Sequence, residues 1–188
     1  MPFFQSGEGA LYYEETGTGP SLLFIPPPAL GTESFRQQKE VLSERFRVVS
    51  FDPIGTGRSP DHGRREYTIE EWTNDILSLA DHLDLEKVLL CGYSLGGSPC
   101  QEFALSYPER IKGIILLCSF PEVSTVFLSA KIRIGEWLAL KDFRTVMGEG
   151  IAISHTKRKD KLGSGLFRSL VPITKPAGWV GYYQSPHF

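Results

Sequence analysis

Residues 87–97 read KVLLCGYSLGG, and this segment gives the strongest indication of how the chain folds. It opens with a continuous apolar run, which is typical of a strand buried on both faces of a parallel sheet. The run ends in a Gly-x-Ser-x-Gly pattern formed by Gly92, Ser94 and Gly96, and helix-like sequence follows over residues 95–107. The stretch therefore predicts a buried strand that turns sharply into a helix, with a serine at the turn.

The position of Ser94 in this pattern indicates chemistry as well as structure. A strained turn would lift the serine out of the sheet and place its Oγ at the N-terminus of the helix, where unpaired amides favour a developing negative charge. We therefore predict Ser94 as a catalytic nucleophile and the backbone N–H of Leu95 as the first oxyanion donor. The alternative is a simple tight turn in which Ser94 caps the helix. Such a turn would need neither the two glycines that follow the serine, Gly96 and Gly97, nor a buried strand before it.

The flanking sequence alternates between strand and helix patterns. Strands are predicted at residues 10–15, 22–25, 46–51 and 111–117, and helices at residues 34–42 and 68–83. The first two strands are joined by a Gly- and Pro-rich turn, so we expect them to form an opening hairpin. Thr68 and Glu71 have the spacing of a capping box at the start of the second helix. The alternation predicts an α/β fold with a mostly parallel sheet covered by helices on both faces.

After residue 120 the strand patterns give way to helix-like segments at residues 124–140, 143–153 and 175–183. The charge changes as well, because residues 1–122 are net acidic whereas residues 123–188 are net basic. We therefore predict two regions, an α/β core over residues 1–121 and a helical cap-like segment over residues 122–188.

The composition narrows the classes of partner. The chain has 188 residues, 41% of them hydrophobic, and a net charge of −2, so it is composed like an ordinary globular protein and offers no basic surface for nucleic acid. A small-molecule substrate is expected instead. No Cys/His spacing suggests a metal site, and no cofactor is predicted.

The expected location is cytoplasmic. The first residues lack the basic and apolar regions of a secretory signal, and the longest apolar run, residues 114–118, is far too short to span a membrane. Cys91, Cys100 and Cys118 are odd in number and lie in apolar or helical segments, which favours reduced packing thiols over disulfides.

Two further motifs carry a family resemblance. Residues 52–59, DPIGTGRS, are similar to a D-x-R-G-x-G-x-S loop, with Ile54 where arginine is usual, and residues 104–111, ALSYPERI, are similar to an A-x-x-x-P-E-R-V segment. Together with the serine motif, and in this order, they make the chain resemble the α/β-hydrolase fold family from the strand at Leu22 to the strand ending at Cys118. The resemblance implies a serine hydrolase that acts on an ester-like or acyl substrate through an acyl-enzyme. An aspartate nucleophile would have suggested epoxide or haloalkane chemistry.

The resemblance also locates the second oxyanion donor. Family members often carry H-G-x-x-G after their third strand, whereas this chain has PPPALG at residues 26–31. Proline has no N–H, so Ala29 is the first amide of the loop that can donate. The alternative is a rigid proline turn that only shapes the pocket.

Candidates for the acid and the base of the triad follow from the order of these residues in the family. The family order of serine, acid and histidine excludes His62 and His82, because both precede the serine. His155, which opens a basic run that is most simply a solvated face, and His187 remain as candidate bases. Glu122 follows the last strand directly, where some members place their acid, and is the candidate acid.

The resemblance implies two more strand units after the cap, so we expect a chain shortened after the cap region. The strand at residues 111–117 would then lie at an exposed edge, which predicts self-association through that edge. A shortened chain would also be a weak enzyme. The alternative function is therefore an inactive fragment, or a non-catalytic binding protein that keeps the hydrolase core.

Overall fold

The computed structural model describes residues 2–7, 9–27, 29–63, 67–119, 126–141 and 143–155, together with Gly165, Arg168, Ser169, Val171 and Thr174. The strands in this part of the chain are β1 (Phe3–Ser6), β2 (Gly9–Thr16), β3 (Ser21–Ile25), β4 (Arg47–Phe51), β5 (Val88–Tyr93) and β6 (Ile111–Leu117). The α-helices are α1 (Arg36–Leu42), α2 (Ile69–His82), α3 (Gly97–Ser106), α4 (Val126–Leu140) and α5 (Arg144–His155).

The strands form a single sheet in the order β1-β2-β4-β3-β5-β6. The last four are mutually parallel, while β2 runs antiparallel to both β4 and β1. The predicted α/β fold with a mostly parallel sheet is therefore confirmed.

The predicted hairpin between residues 10–15 and residues 22–25 is wrong. Strand β2 pairs with β1 and β4, and β3 lies between β4 and β5. The reason is that Leu22, Leu23, Phe24 and Ile25 are all buried, so β3 needs a neighbour on each side and a layer on each face, which is the centre of a parallel sheet. The actual hairpin partner, β1, is a four-residue strand whose alternate burial is too short a signal to stand out in the sequence.

The side chains of β3 alternate between two apolar layers. Leu23 and Ile25 join the cluster that contains Trp72 of α2 and Phe103 of α3, whereas Leu22 and Phe24 pack on the opposite face with Phe35. The helices α2 and α3 thus cover one face of the sheet, and the segment that leads into α1 covers the other.

The helix predicted at residues 68–83 is present as α2, and its cap has the predicted chemistry. The Glu71 N–H donates to Thr68 Oγ1 at 3.2 Å, and the Thr68 N–H donates to Glu71 Oε2 at 2.8 Å. Two of the other predicted helices begin as 3-10 turns, at Gly31–Phe35 before α1 and at Ser94–Gly96 before α3.

Two of the three helix-like segments predicted after β6, residues 124–140 and 143–153, correspond to the helices α4 and α5. Helices α4 and α5 pack against each other, and the third helix-like segment, residues 175–183, lies outside the described residues. None of the helices within the described ranges is both long enough and apolar enough to cross a membrane.

The three cysteines have different environments, although all are free thiols. Cys91 and Cys100 are buried, and burial raises the pKa of Cys91 to about 11 and that of Cys100 above its usual value as well. Cys118 is exposed, so its prediction as a packing thiol is wrong. It stands one residue beyond the end of β6, where the strand has left the core.

Candidate active site

The candidate site lies where the parallel strands end. The chain leaves β3 for β4 on one side and later returns to β5 on the other, so the strand order reverses between β3 and β5. In open α/β sheets a reversal of this kind is where ligands bind, at the carboxyl ends of the two strands. The proline loop, residues 26–31, follows β3, and Ser94 follows β5.

Ser94 occupies the sharp turn that its sequence motif predicts. It comes directly after β5, has a φ of +52°, and begins the 3-10 turn that leads into α3. A positive φ costs a residue with a Cβ about 1–3 kcal/mol and persists only where the surrounding structure holds it. The alternative in which Ser94 caps the helix is not observed, because the cap positions of the 3-10 turn and of α3 are Tyr93 and Gly96.

The two glycines of the motif are required by close packing. A Cβ on Gly92 would lie 2.6 Å from the carbonyl oxygen of Gly96, and a Cβ on Gly96 would lie 2.4 Å from that of Ile25 and 2.5 Å from that of Pro26. The serine turn is therefore pressed against the end of β3 and the start of the proline loop. The two segments predicted to supply oxyanion donors are thus in contact with each other.

The two predicted oxyanion donors, Leu95 and Ala29, lie in different backbone conformations. Leu95 lies in the first turn after β5, where an N–H has no intrahelical acceptor. Ala29 is 1% exposed and has a φ of +69°, an uncommon conformation for a residue with a Cβ. The loop around Ala29 is therefore held in a particular shape by its surroundings.

Asp52 is one source of that shape, and the sequence marked it only as the first residue of a motif. Its carboxylate is buried and accepts hydrogen bonds from two backbone amides, Thr32 N at 2.6 Å and Arg58 N at 2.8 Å. Burial raises the pKa of Asp52, and the amides of Arg58 and Thr32 oppose that shift. Asp52 thus joins the end of β4 to the 3-10 turn that directly follows the proline loop.

The side chains of the candidate acid and bases are not among the described ones. His155 ends α5, but its side chain is not among the described ones, and Glu122 and His187 lie outside the described residues. The excluded histidines are placed elsewhere: the ring of His82 packs 5.5 Å from that of Tyr13, and His62 lies against Gly9.

Two residues beside Ser94 were not singled out as site residues from the sequence. Tyr93 pairs with Leu117 in the sheet, so Cys118, which follows with a φ of +52°, comes next to the serine turn. Burial and the neighbouring Cys118 raise the pKa of Tyr93. Within the described ranges, no three His, Cys, Asp or Glu side chains gather in a way that could hold a metal ion.

Known proteins are similar to this chain in sequence and in fold. The family model of the alpha/beta hydrolase fold matches residues 20–153. A protein of Azorhizobium caulinodans named "Putative carbamate hydrolase RutD" is 34% identical over 118 residues, which cover 62% of this chain and 44% of that protein. Haloalkane dehalogenase 2 of Mycobacterium tuberculosis is 31% identical over 114 residues, covering 61% of this chain and 40% of that enzyme.

A solved structure extends the likeness to most of the chain. A thermophilic esterase from Thermogutta terrifontis superimposes with a TM-score of 0.85 at 25% identity, and the match covers 98% of this chain and 72% of the esterase. The chain spans less than half the length of the curated relatives named above. With the family model matching most of its length, the chain belongs to the α/β-hydrolase fold family.

Proposed function

We propose that this chain is a serine hydrolase acting on a small ester-like or acyl substrate through an acyl-enzyme at Ser94. The observation that carries the proposal is the strained position of Ser94, with its φ of +52° at the carboxyl end of β5. The carboxyl ends of β3 and β5, where the strand order reverses, correspond to the place where open α/β sheets hold their ligands. Strain at such a place is typical of a functional residue.

The proposed reaction begins with attack of Ser94 Oγ on the acyl carbon. The carbonyl electron pair moves onto oxygen, and the N–H of Leu95, with that of Ala29 as second donor, stabilises the resulting oxyanion. Collapse of this intermediate breaks the bond to the leaving group, which departs with the proton from Ser94. Water then attacks the acyl-enzyme, releasing the acid and restoring the serine.

The identity of the nucleophile favours acyl chemistry over dehalogenation. Attack by Ser94 Oγ on the carbon of an alkyl halide would give an ether, which water does not readily cleave, whereas attack on a carbonyl gives an ester that a second attack resolves. The similarity to a haloalkane dehalogenase therefore does not extend the proposal to halides. The esterase among the solved structures supports the ester class.

Covalent labelling tests the proposal directly. The intact chain should react with an alkyl fluorophosphonate to give one adduct, located at Ser94 by peptide mass spectrometry, and Ser94→Ala should give none. Ser98→Ala, at a half-buried serine of α3, is the matched control and should label normally. Adduct formation that survives Ser94→Ala would overturn the assignment.

The same reagent addresses the general base. We propose His155 or His187 for this role, and replacement of the true base by alanine should slow labelling by about 10²–10⁴-fold. Equal rates for both alanine variants and the wild type would remove both histidines from the proposal.

The alternative is a binding protein that keeps the hydrolase core. Its positive φ at Ser94 would then be a structural feature without chemistry. A folded wild-type chain that resists the fluorophosphonate, yet is thermally stabilised by small esters or acids, would favour this alternative.

We further propose that the chain associates with a second copy through β6. Within the described residues β6 pairs with β5 alone, and Ile115, Leu116 and Leu117 remain 40–44% exposed. Consecutive strand residues point to opposite faces, so both faces of this edge expose apolar side chains. Two copies of one edge can pair antiparallel about a two-fold axis, which gives a closed dimer.

Self-association is therefore expected to depend on this edge. Ile115→Lys should raise the dimer dissociation constant by about tenfold or more, since it removes an aliphatic side chain that the proposed dimer would bury and places a charge on the edge. Sedimentation velocity over a range of concentrations measures the change. Leu105→Lys on α3, at a side chain that is 78% exposed, is the control, and an equal effect from both variants would contradict an edge-specific dimer.

A further inference from the structure

The segment after α5 makes a specific contact with the proline loop. The hydroxyl of Thr174 donates to the carbonyl oxygen of Ala29 at 3.3 Å, and Thr174 and Ala29 are each 1% exposed. The two residues are separated by most of the chain, so the contact is a product of the tertiary fold. It brings a side chain of the region predicted as a cap to the loop that borders Ser94.

Thr174 is held in place by a contact of its own backbone. Its N–H donates to the carbonyl oxygen of Val171 at 3.3 Å, and Val171 is itself 1% exposed. Threonine has few side-chain rotamers because its Cβ is branched. The hydrogen bond and the buried Val171 therefore restrict where the Thr174 hydroxyl can lie, and it lies against the Ala29 carbonyl.

The proline loop has few N–H groups of its own with which to hold its carbonyl groups in place. Proline has no N–H with which to hold a neighbouring carbonyl, so the loop before Ala29 is limited in the hydrogen bonds that it can donate. At the far end of the loop, Ser34 Oγ donates to Gly31 O at 2.6 Å and Thr32 N donates to Asp52. The Thr174 hydroxyl supplies the corresponding contact at the Ala29 end.

We propose that Thr174 is a positioning residue for the oxyanion loop. By binding the Ala29 carbonyl oxygen it holds the peptide group that follows Ala29, and with one side of the Ala29 Cα held, the rotation on which the direction of the Ala29 N–H depends is restricted. This inference rests on the proposed function, because it assigns Thr174 a role in the same acylation of Ser94. A residue that aligns a transition-state donor affects the chemical step and leaves ground-state binding unchanged.

The test separates binding from chemistry in the fluorophosphonate reaction. Thr174→Val removes the hydroxyl and keeps the shape of the side chain. It is expected to lower the limiting rate of inactivation by about 3- to 10-fold and to leave the inhibitor constant unchanged. Thr174→Ser keeps the hydroxyl, so its limiting rate should stay within about twofold of that of wild type. Thr73→Val is the matched control, because the buried Thr73 hydroxyl binds a carbonyl of α2, that of Ile69, at 2.8 Å. It should lower the melting temperature without changing the limiting rate.

A second measurement tests the contact with Ala29 whether or not Ser94 reacts with the fluorophosphonate. Hydrogen exchange at the Ala29 amide should be faster in Thr174→Val than in wild type and in Thr73→Val. If Thr174→Val labels at the wild-type rate and exchanges normally at Ala29, the positioning role is wrong. If the wild type does not label but exchange at Ala29 responds as expected, the proposed function fails while the structural role of Thr174 stands.

Discussion

Gly96→Ala is expected to lower the rate of Ser94 labelling by about 100-fold or more and to destabilise the chain by about 1–3 kcal/mol. Gly96 has a φ of −61° and a ψ of −12°, values that alanine adopts without strain, so the whole effect must come from contacts. The new Cβ would lie 2.4 Å and 2.5 Å from two backbone carbonyl oxygens. Neither oxygen can rotate away, so the serine turn and the proline loop must move apart.

The loss of reactivity should exceed what the loss of stability explains. A misplacement of about 1 Å between a nucleophile and its oxyanion donors can cost 10²-fold in rate even in a folded enzyme. Labelling rates and urea unfolding of the same preparation provide the comparison. Gly150→Ala on α5 is the control, because a Cβ there would meet nothing within 4 Å. It should lower neither the labelling rate nor the stability to urea. Labelling of Gly96→Ala at nearly the wild-type rate would contradict the close contact.

Asp52→Ala is expected to reduce the free energy of unfolding by about 3–5 kcal/mol. The substitution removes a carboxylate that accepts two backbone N–H groups, and each hydrogen bond to a charged group contributes about 1.5–3 kcal/mol. It also leaves the Thr32 N–H without its acceptor inside the protein. Urea denaturation at neutral pH measures the loss, and Asp81→Ala, at an exposed carboxylate paired with Arg110, should cost under about 1 kcal/mol. A loss for Asp52→Ala no larger than that of Asp81→Ala would contradict the account.

The same residue predicts a direction for the pH dependence. The pKa of Asp52 is raised in the folded chain by burial, so the unfolded chain loses this proton first as the pH rises. Between the ordinary pKa and the raised one, the unfolded state binds fewer protons, and the free energy of unfolding must fall with rising pH. The stability advantage of wild type over Asp52→Asn should therefore decrease across this window and stay constant above it. An advantage that grows with pH would show that the pKa of Asp52 is lowered.

The sequence was sufficient for features that depend on local patterns. The apolar run before Gly92, the capping box at Thr68 and the alternation of strands and helices each correspond to a periodicity or a cap that acts over a few residues, and each is present in the structure. Strand pairing was not accessible in the same way. The predicted hairpin between β2 and β3 is wrong because a turn indicates only that two strands are connected in the chain. Which strands pair depends on which of them is buried on both faces.

The site shows a similar division. The position of Ser94 follows from a local motif, but the roles of Asp52 and Thr174 arise from contacts with the loop around Ala29, and no spacing in the sequence encodes such contacts. The exposure of Cys118 likewise depends on its place after β6, which pairs with β5 alone among the described strands.

The central position of β3 has a consequence for how the chain folds. Leu22 pairs with Val48 on one side and with Leu89 on the other, so the middle of the sheet is completed only when a distant part of the chain arrives. Closing a loop costs entropy that increases with its length, and non-local pairings of this kind slow folding. During synthesis on the ribosome, the first four strands would emerge before β5 and would leave one backbone edge of β3 unpaired. Early folding of this chain therefore depends on β5 reaching β3 before another chain does.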